Sequence, residues 1–221
     1  MELHEMEALI KEAMRDADLH PDEIPAIDLY LDQITSLMAE KRREGSLRFE
    51  DRVLTKTMIN NYSKDGLISP IKGKKYTKEQ ILQMLVVYSL KNTLSIGEIK
   101  RILQNVYASP DFDGKMLEST YMRFLEIKQS EREELGNFIF EFVEHNGLDI
   151  SDNADFFTLL LGLSSLSSYL KNIVQILLET RYPDVDAEKK EDAKRQKEKK
   201  KSASKASKKD ADSEKEGTDA T

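Results

Sequence analysis

Apolar residues recur at helical spacing through most of the chain, and each interruption carries a proline, a glycine or a short polar run. Residues 2–17 place Leu3, Met6, Ile10, Ala13 and Met14 on one side of a helix, with Glu and Lys on the other. His20-Pro21 and Ile24-Pro25 break this amphipathic arm. Pro25 suits the first position of a new helix, where its missing N–H needs no partner. Ile27, Tyr30, Leu31, Ile34, Leu37 and Met38 then recur until Gly45, which predicts a helix over 25–43. A shorter helix follows, capped by Thr55 and closed by Gly66, with Met58, Ile59 and Tyr62 on its inner face.

Two short apolar pieces come next, Gly66-Leu67-Ile68-Ser69-Pro70 and Ile71-Lys72-Gly73-Lys74-Lys75-Tyr76. Their Pro and Gly predict a β-hairpin, a wing whose tip carries Lys72, Lys74 and Lys75. Thr77-Lys78-Glu79-Gln80 and Ser95-Ile96-Gly97-Glu98 both fit the capping box, in which Ser or Thr and a later Gln or Glu satisfy each other's backbone N–H groups. Each leads into an apolar stripe, Ile81, Met84, Leu85, Tyr88 and then Ile99, Ile102, Leu103, Val106. Beyond a loop at Ser109–Gly114, residues 115–127 predict a further helix, and Ser130-Glu131-Arg132-Glu133 predicts the start of another that Gly147 ends. Residues 154–180 are the most apolar helix. They approach membrane-spanning length, but Lys171, Asn172, Gln175 and the serine pairs interrupt the run, so a bundle helix or one shared across a dimer is expected rather than a membrane span.

The pattern thus predicts an all-α, mainly helical fold with a small β wing. Residues 1–24 form an N-terminal arm, 25–107 a winged helix-turn-helix domain and 110–182 a helical C-terminal domain. Residues 183–221 hold almost nothing but Lys, Glu, Asp, Ser and Ala, and are expected to be a disordered charged tail.

Charge sharpens this picture. The net charge of −7 conceals a segregation: residues 1–51 carry 6 basic and 14 acidic side chains, 52–104 carry 10 and 3, and 105–182 carry 6 and 13. A basic island between acidic segments is what a localised polyanion-binding surface requires. On the helix after Thr55, Lys56, Asn60 and Lys64 fall opposite the apolar face, with Thr57 and Asn61 beside them. Asn can pair two-fold with an adenine edge, and Lys reaches guanine edges or phosphates.

Candidate catalytic chemistry is thin. Cysteine is absent, which excludes disulfides, a thiol nucleophile and a Cys-based zinc site, and fits a reducing, cytoplasmic setting. The start MELHEMEALI lacks the basic residues and apolar run of a secretory signal. His4, His20 and His145 are isolated, and no Gly-rich phosphate loop, nucleophile elbow or HExxH is present. No enzyme, cofactor or metal is expected.

The segment Asn60-Asn61-Tyr62-Ser63-Lys64-Asp65-Gly66-Leu67-Ile68 resembles the recognition helix and wing of MerR-type winged helix-turn-helix regulators. The likeness continues through Pro70, Lys74-Lys75-Tyr76 and Leu94-Ser95-Ile96-Gly97-Glu98-Ile99-Lys100. Asn60-Asn61 stands where that family has Arg-Tyr. The chain from about Pro25 to Leu103 also resembles an uncharacterised bacterial domain of unknown function, which shares Asp28-Leu29-Tyr30 and Leu54 to Tyr62. The MerR likeness implies DNA contacts at Thr57, Asn60, Asn61 and Tyr62, with Lys74 at the wing. Residues and resemblance together lead to the expectation of a bacterial DNA-binding regulator of double-stranded DNA, homodimeric through its C-terminal helices. The alternative is a helical protein–protein interaction module that keeps the winged fold without binding DNA. An effector pocket in residues 110–180 is a third possibility.

Overall fold

In the computed structural model, residues 2–15, 17–45 and 54–183 are described; the polar connection before Leu54 and the tail from 184 onward lie outside them. By contacts the chain divides into Met1–Leu178 and Glu179–Thr221. Of the second unit, only residues 179–183 are described. Helices among the described residues are α1 (Leu3–Ala13), α2 (Leu31–Arg42), α3 (Lys56–Lys64), α4 (Lys78–Leu90), α5 (Ile96–Tyr107), α6 (Gly114–His145) and α7 (Asn153–Arg181), with two-residue strands β1 (Leu29–Tyr30) and β2 (Lys75–Tyr76). The protein is mainly helical with a small antiparallel sheet. No helix among the described residues is long and apolar enough to cross a membrane.

The helix expected from Pro25 begins at Leu31, because the chain first uses Leu29–Tyr30 as a strand. Gln33 then reaches back, and its Oε1 accepts the Tyr30 N–H at 2.8 Å, fixing the start of α2. The expected local hairpin does not form either. β2 pairs instead with β1, Leu29 opposite Tyr76 and Tyr30 opposite Lys75, across about half of the family-like segment. Leu67 and Ile68 are unavailable for pairing because the end of α3 draws both into the core. Gly66, at φ +70°, donates its N–H to the Ser63 carbonyl, and Leu67 donates to the Tyr62 carbonyl at 2.9 Å. This closing pattern tucks the apolar residue after the glycine beneath the helix.

Ser69-Pro70 is then taken over by two glutamines of α4. Gln80 Nε2 donates to the Ser69 and Pro70 carbonyls, at 3.1 and 3.0 Å, while its Oε1 accepts the Thr77 N–H. Gln83 Oε1 accepts the Ser69 N–H at 2.7 Å, and its Nε2 donates to Ser69 Oγ at 2.8 Å. Both glutamines are buried, and each amide uses both its donor and acceptor ends. They clamp the loop between α3 and β2 onto the central helix. Gln83→Leu keeps the size but strands the Ser69 N–H, so stability should drop by about 2 kcal/mol. Thermal unfolding would read this as a fall of roughly 4–8 °C; an unchanged melt would mean that the clamp contributes nothing.

The local caps form as the sequence predicts. Thr55 Oγ1 accepts the Met58 N–H, and the capping boxes at Thr77–Gln80 and Ser95–Glu98 are complete. The third box is not a helix start: Ser130–Glu133 lies inside the continuous α6, where Ser130 Oγ bonds Glu134. No proline stands between Gly114 and His145 to break the backbone ladder, and a Ser with a Glu three residues on does not by itself end the helix that precedes it.

One core surrounds α4, whose Ile81, Leu82, Met84, Leu85 and Val87 are all buried. It takes in Ile34, Ile59, Tyr76 and Ile99 from the neighbouring elements and Leu117 and Tyr121 from α6. A second cluster joins Met6 of α1, Val143 of α6, Ile150 in the loop before α7, and Leu159 of α7. Phe142 lies close over Gly162, where an added Cβ would come within 2.8 Å of the ring, so the glycine permits this approach of α7 to α6. Asp18 fastens the segment after α1 to α6 through Lys128 and Arg132, both at 2.8 Å.

Candidate nucleic-acid interface

α3 is nine residues long and sharply two-sided. Ile59 and Tyr62 point into the core, Met58 is half-buried, and Lys56, Thr57, Asn60, Asn61 and Lys64 are all exposed. A face with apolar anchors on one side and amide and ammonium donors on the other follows directly from 100° per residue. Tyr62 does not join the outward set. It is only 4% exposed, and burial, aided by Tyr88, pushes its phenol up to about 12. The resemblance implied a DNA contact there, but helical periodicity puts this side chain inward beside Ile59, and the structure keeps it there.

The lysines after α3 are exposed as well. Gly73, at φ +76°, lets the chain turn between Lys72 and Lys74, and β2 begins at Lys75. Lys75 Nζ stands 5.0 Å from the Tyr30 ring centre, on the residue with which it pairs across the sheet. Lys56 forms an ion pair with Asp32, two residues beyond Tyr30. The small sheet and the start of α2 therefore bring the beginning of α3 and the lysine loop to one corner. That corner is partly self-neutralised: the Lys56–Asp32 pair is exposed and holds its charges only weakly. Among the described residues no ion pair involves Lys64, Lys72 or Lys74. Other cations of the basic segment are turned elsewhere; Lys78 pairs with Glu118 on α6, and Lys91 lies 4.1 Å from the Tyr88 ring.

Sequence reasoning missed Asp32, Tyr30, Gln80 as a loop clamp and Gln83. Only the glutamines left a signal, since Gln83 interrupts the apolar run of α4 three residues after Gln80. Asp32 meets Lys56 across 24 positions of sequence, and nothing local announces it.

Residues 19–124 match the family described as Domain of unknown function (DUF1836). No curated protein and no solved structure matches the chain. The DUF1836 match begins at the buried Leu19 and ends at Phe124 in α6, so it contains both strands, α2 to α5 and every residue of the outward face. α1 and α7 lie outside it. The segment that matches DUF1836 thus carries the basic corner.

Proposed function

We propose that the protein binds double-stranded DNA and acts as a transcription regulator. α3 enters the major groove with Lys56, Thr57, Asn60, Asn61 and Lys64, while Lys72, Lys74 and Lys75 hold neighbouring phosphates. The observation that carries this reading is the unbroken outward set of donors on α3, standing at one corner with the lysine loop inside the basic stretch of an acidic chain. Asn60 and Asn61 are the base-reading candidates, because a side-chain amide offers a donor and an acceptor to an adenine edge. The lysines position the helix without reading sequence. A helix of nine residues makes few base contacts, so two half-sites read by two copies suit it better than one.

The test is a fluorescence-anisotropy titration of the full chain with mixed duplex DNA at two salt concentrations. With about five phosphate contacts, affinity falls by roughly 10²–10³ between 50 and 200 mM salt. Absence of salt-dependent binding at micromolar protein would favour the second reading, a helical protein-interaction module that keeps this fold without touching DNA. What favours that module is α7, whose surface is far more apolar than a free helix tolerates in water.

A further inference from the structure

α7 carries one apolar seam along its length: Leu159, Leu163, Leu166, Leu170, Ile173 and Leu177, spaced alternately four and three residues apart. That spacing keeps a stripe against a single neighbouring helix. Among the described residues only the first half of it is covered. Leu159 is buried, and Leu163 packs in the same cluster against the end of α6, whereas Leu170, Ile173 and Leu177 are between 52 and 63% exposed. The chain holds the second half of α7 from behind. Gln175 Nε2 donates to Glu98 Oε1 at 3.3 Å, and Leu178 is buried in the main core, both away from the seam. Tyr169, Val174 and Ile176 flank the bare stretch and are exposed too.

We propose that this bare half-seam is the interface for a second copy of the same chain. Four observations select a copy over other occupants. From Leu163 to Leu178 the one charged residue is Lys171, roughly 120° around the helix from the seam, so two copies can meet without opposing like charges. A foreign helix would find no flanking charges by which to be chosen. Six large apolar side chains about half exposed leave on the order of 500–600 Å² of surface, which with its polar rim matches the ~800 Å² per partner of a standard interface. The chain's own tail cannot fill it, because no large apolar residue follows Val185. The seam also reads the same in both directions about its middle: in antiparallel apposition Leu170 meets Ile173 of the other copy, and Leu166 meets Leu177. A two-fold axis there gives each copy the same contacts.

The proposal rests on α7 alone and holds whether or not α3 binds DNA. Sedimentation velocity of the full chain without DNA, over about 0.1–50 µM, should give twice the 25.4 kDa chain mass at the upper concentrations. Ile173→Glu, and separately Leu170→Glu, should weaken the dimer by at least ~100-fold with helical circular dichroism unchanged, since neither side chain is buried in the single copy. Mixing Ile173→Glu with Leu170→Lys should restore the dimer, because position 173 of one copy faces position 170 of the other across the two-fold axis. A natural chain that stays at the single-chain mass, single variants that dimerise undiminished, or a charge-swapped mixture that remains monomeric would each overturn the proposal.

Discussion

A Lys72→Glu, Lys74→Glu variant is expected to bind mixed duplex on the order of 10²-fold more weakly than the natural chain at about 100 mM salt, with its melting temperature unchanged. Both side chains are exposed and sit on either side of Gly73, so neither contributes packing. Each reversal removes one attraction to a phosphate and adds one repulsion, and the slope of log affinity against log salt should shrink by about two or more. Lys75 is left in place because it lies against Tyr30 and belongs to the sheet. General electrostatics is controlled by Lys115→Glu, Arg123→Glu on exposed positions of α6, which changes the net charge by the same amount and should cost no more than about threefold. Equal losses in the two variants would reduce the effect to net charge; full affinity in the first would remove the lysine loop from the interface.

The same residues show how far the sequence could be read. Thr55, Thr77 and Ser95 were legible as helix caps because a cap is settled within four residues. The two faces of α3 were legible because periodicity alone assigns Ile59 and Tyr62 inward. Where periodicity and family likeness disagreed over Tyr62, the periodicity prevailed. The sheet was not legible: Leu29–Tyr30 continues the apolar helical pattern that follows it, and its partners at Tyr76 and Lys75 are 47 and 45 positions away. Local alternation favours a hairpin, but it cannot register that Leu67 and Ile68 are claimed by the core and Ser69-Pro70 by two glutamines. The Ser130 box failed for the opposite reason, a local signal with nothing beyond it to end the helix before Gly147.

The consequence for the interface is that its geometry is set from outside α3. Lys56 is placed at the corner by Asp32, and Lys75 by Tyr30, both on the strand-to-helix junction that replaced the expected long helix. On the DNA-binding reading proposed above, a phosphate arriving there would compete with Asp32 for the Lys56 ammonium. Since the pair is exposed, little is lost when it opens.

Raising the pH should unfold the protein steeply between about 10 and 12, through tyrosines rather than the surface ion pairs. Burial raises the phenols of Tyr62 and Tyr107 to about 12, with Tyr88 and Glu79 as secondary causes. Tyr121 is raised as well, again by burial first and then by Asp18 and Glu23. Below about pH 10 all three are neutral in folded and unfolded chains alike and cost nothing. Above it the unfolded phenols ionise while the folded ones stay protonated, so the native state holds more protons and stability falls with pH until the folded groups themselves titrate. Tyr62 and Tyr107 each forfeit about 2–3 kcal/mol across this window, and with Tyr121 the total is comparable to the ~5–15 kcal/mol that holds an ordinary domain folded. Lys41 adds in the same direction, since its bonds to Glu23 and Glu44 raise it and are lost on deprotonation. Thermal melts from pH 7 to 12 on the Tyr62→Phe, Tyr107→Phe, Tyr121→Phe variant provide the check. At pH 7 it should melt within a few degrees of the natural chain, because the buried Tyr107 hydroxyl has no hydrogen-bond partner among the described residues to lose. At pH 11 it should melt well above the natural chain, since phenylalanine has no proton to give up. Equal alkaline losses in both would assign the transition to the lysines and leave the buried tyrosines without a part in it.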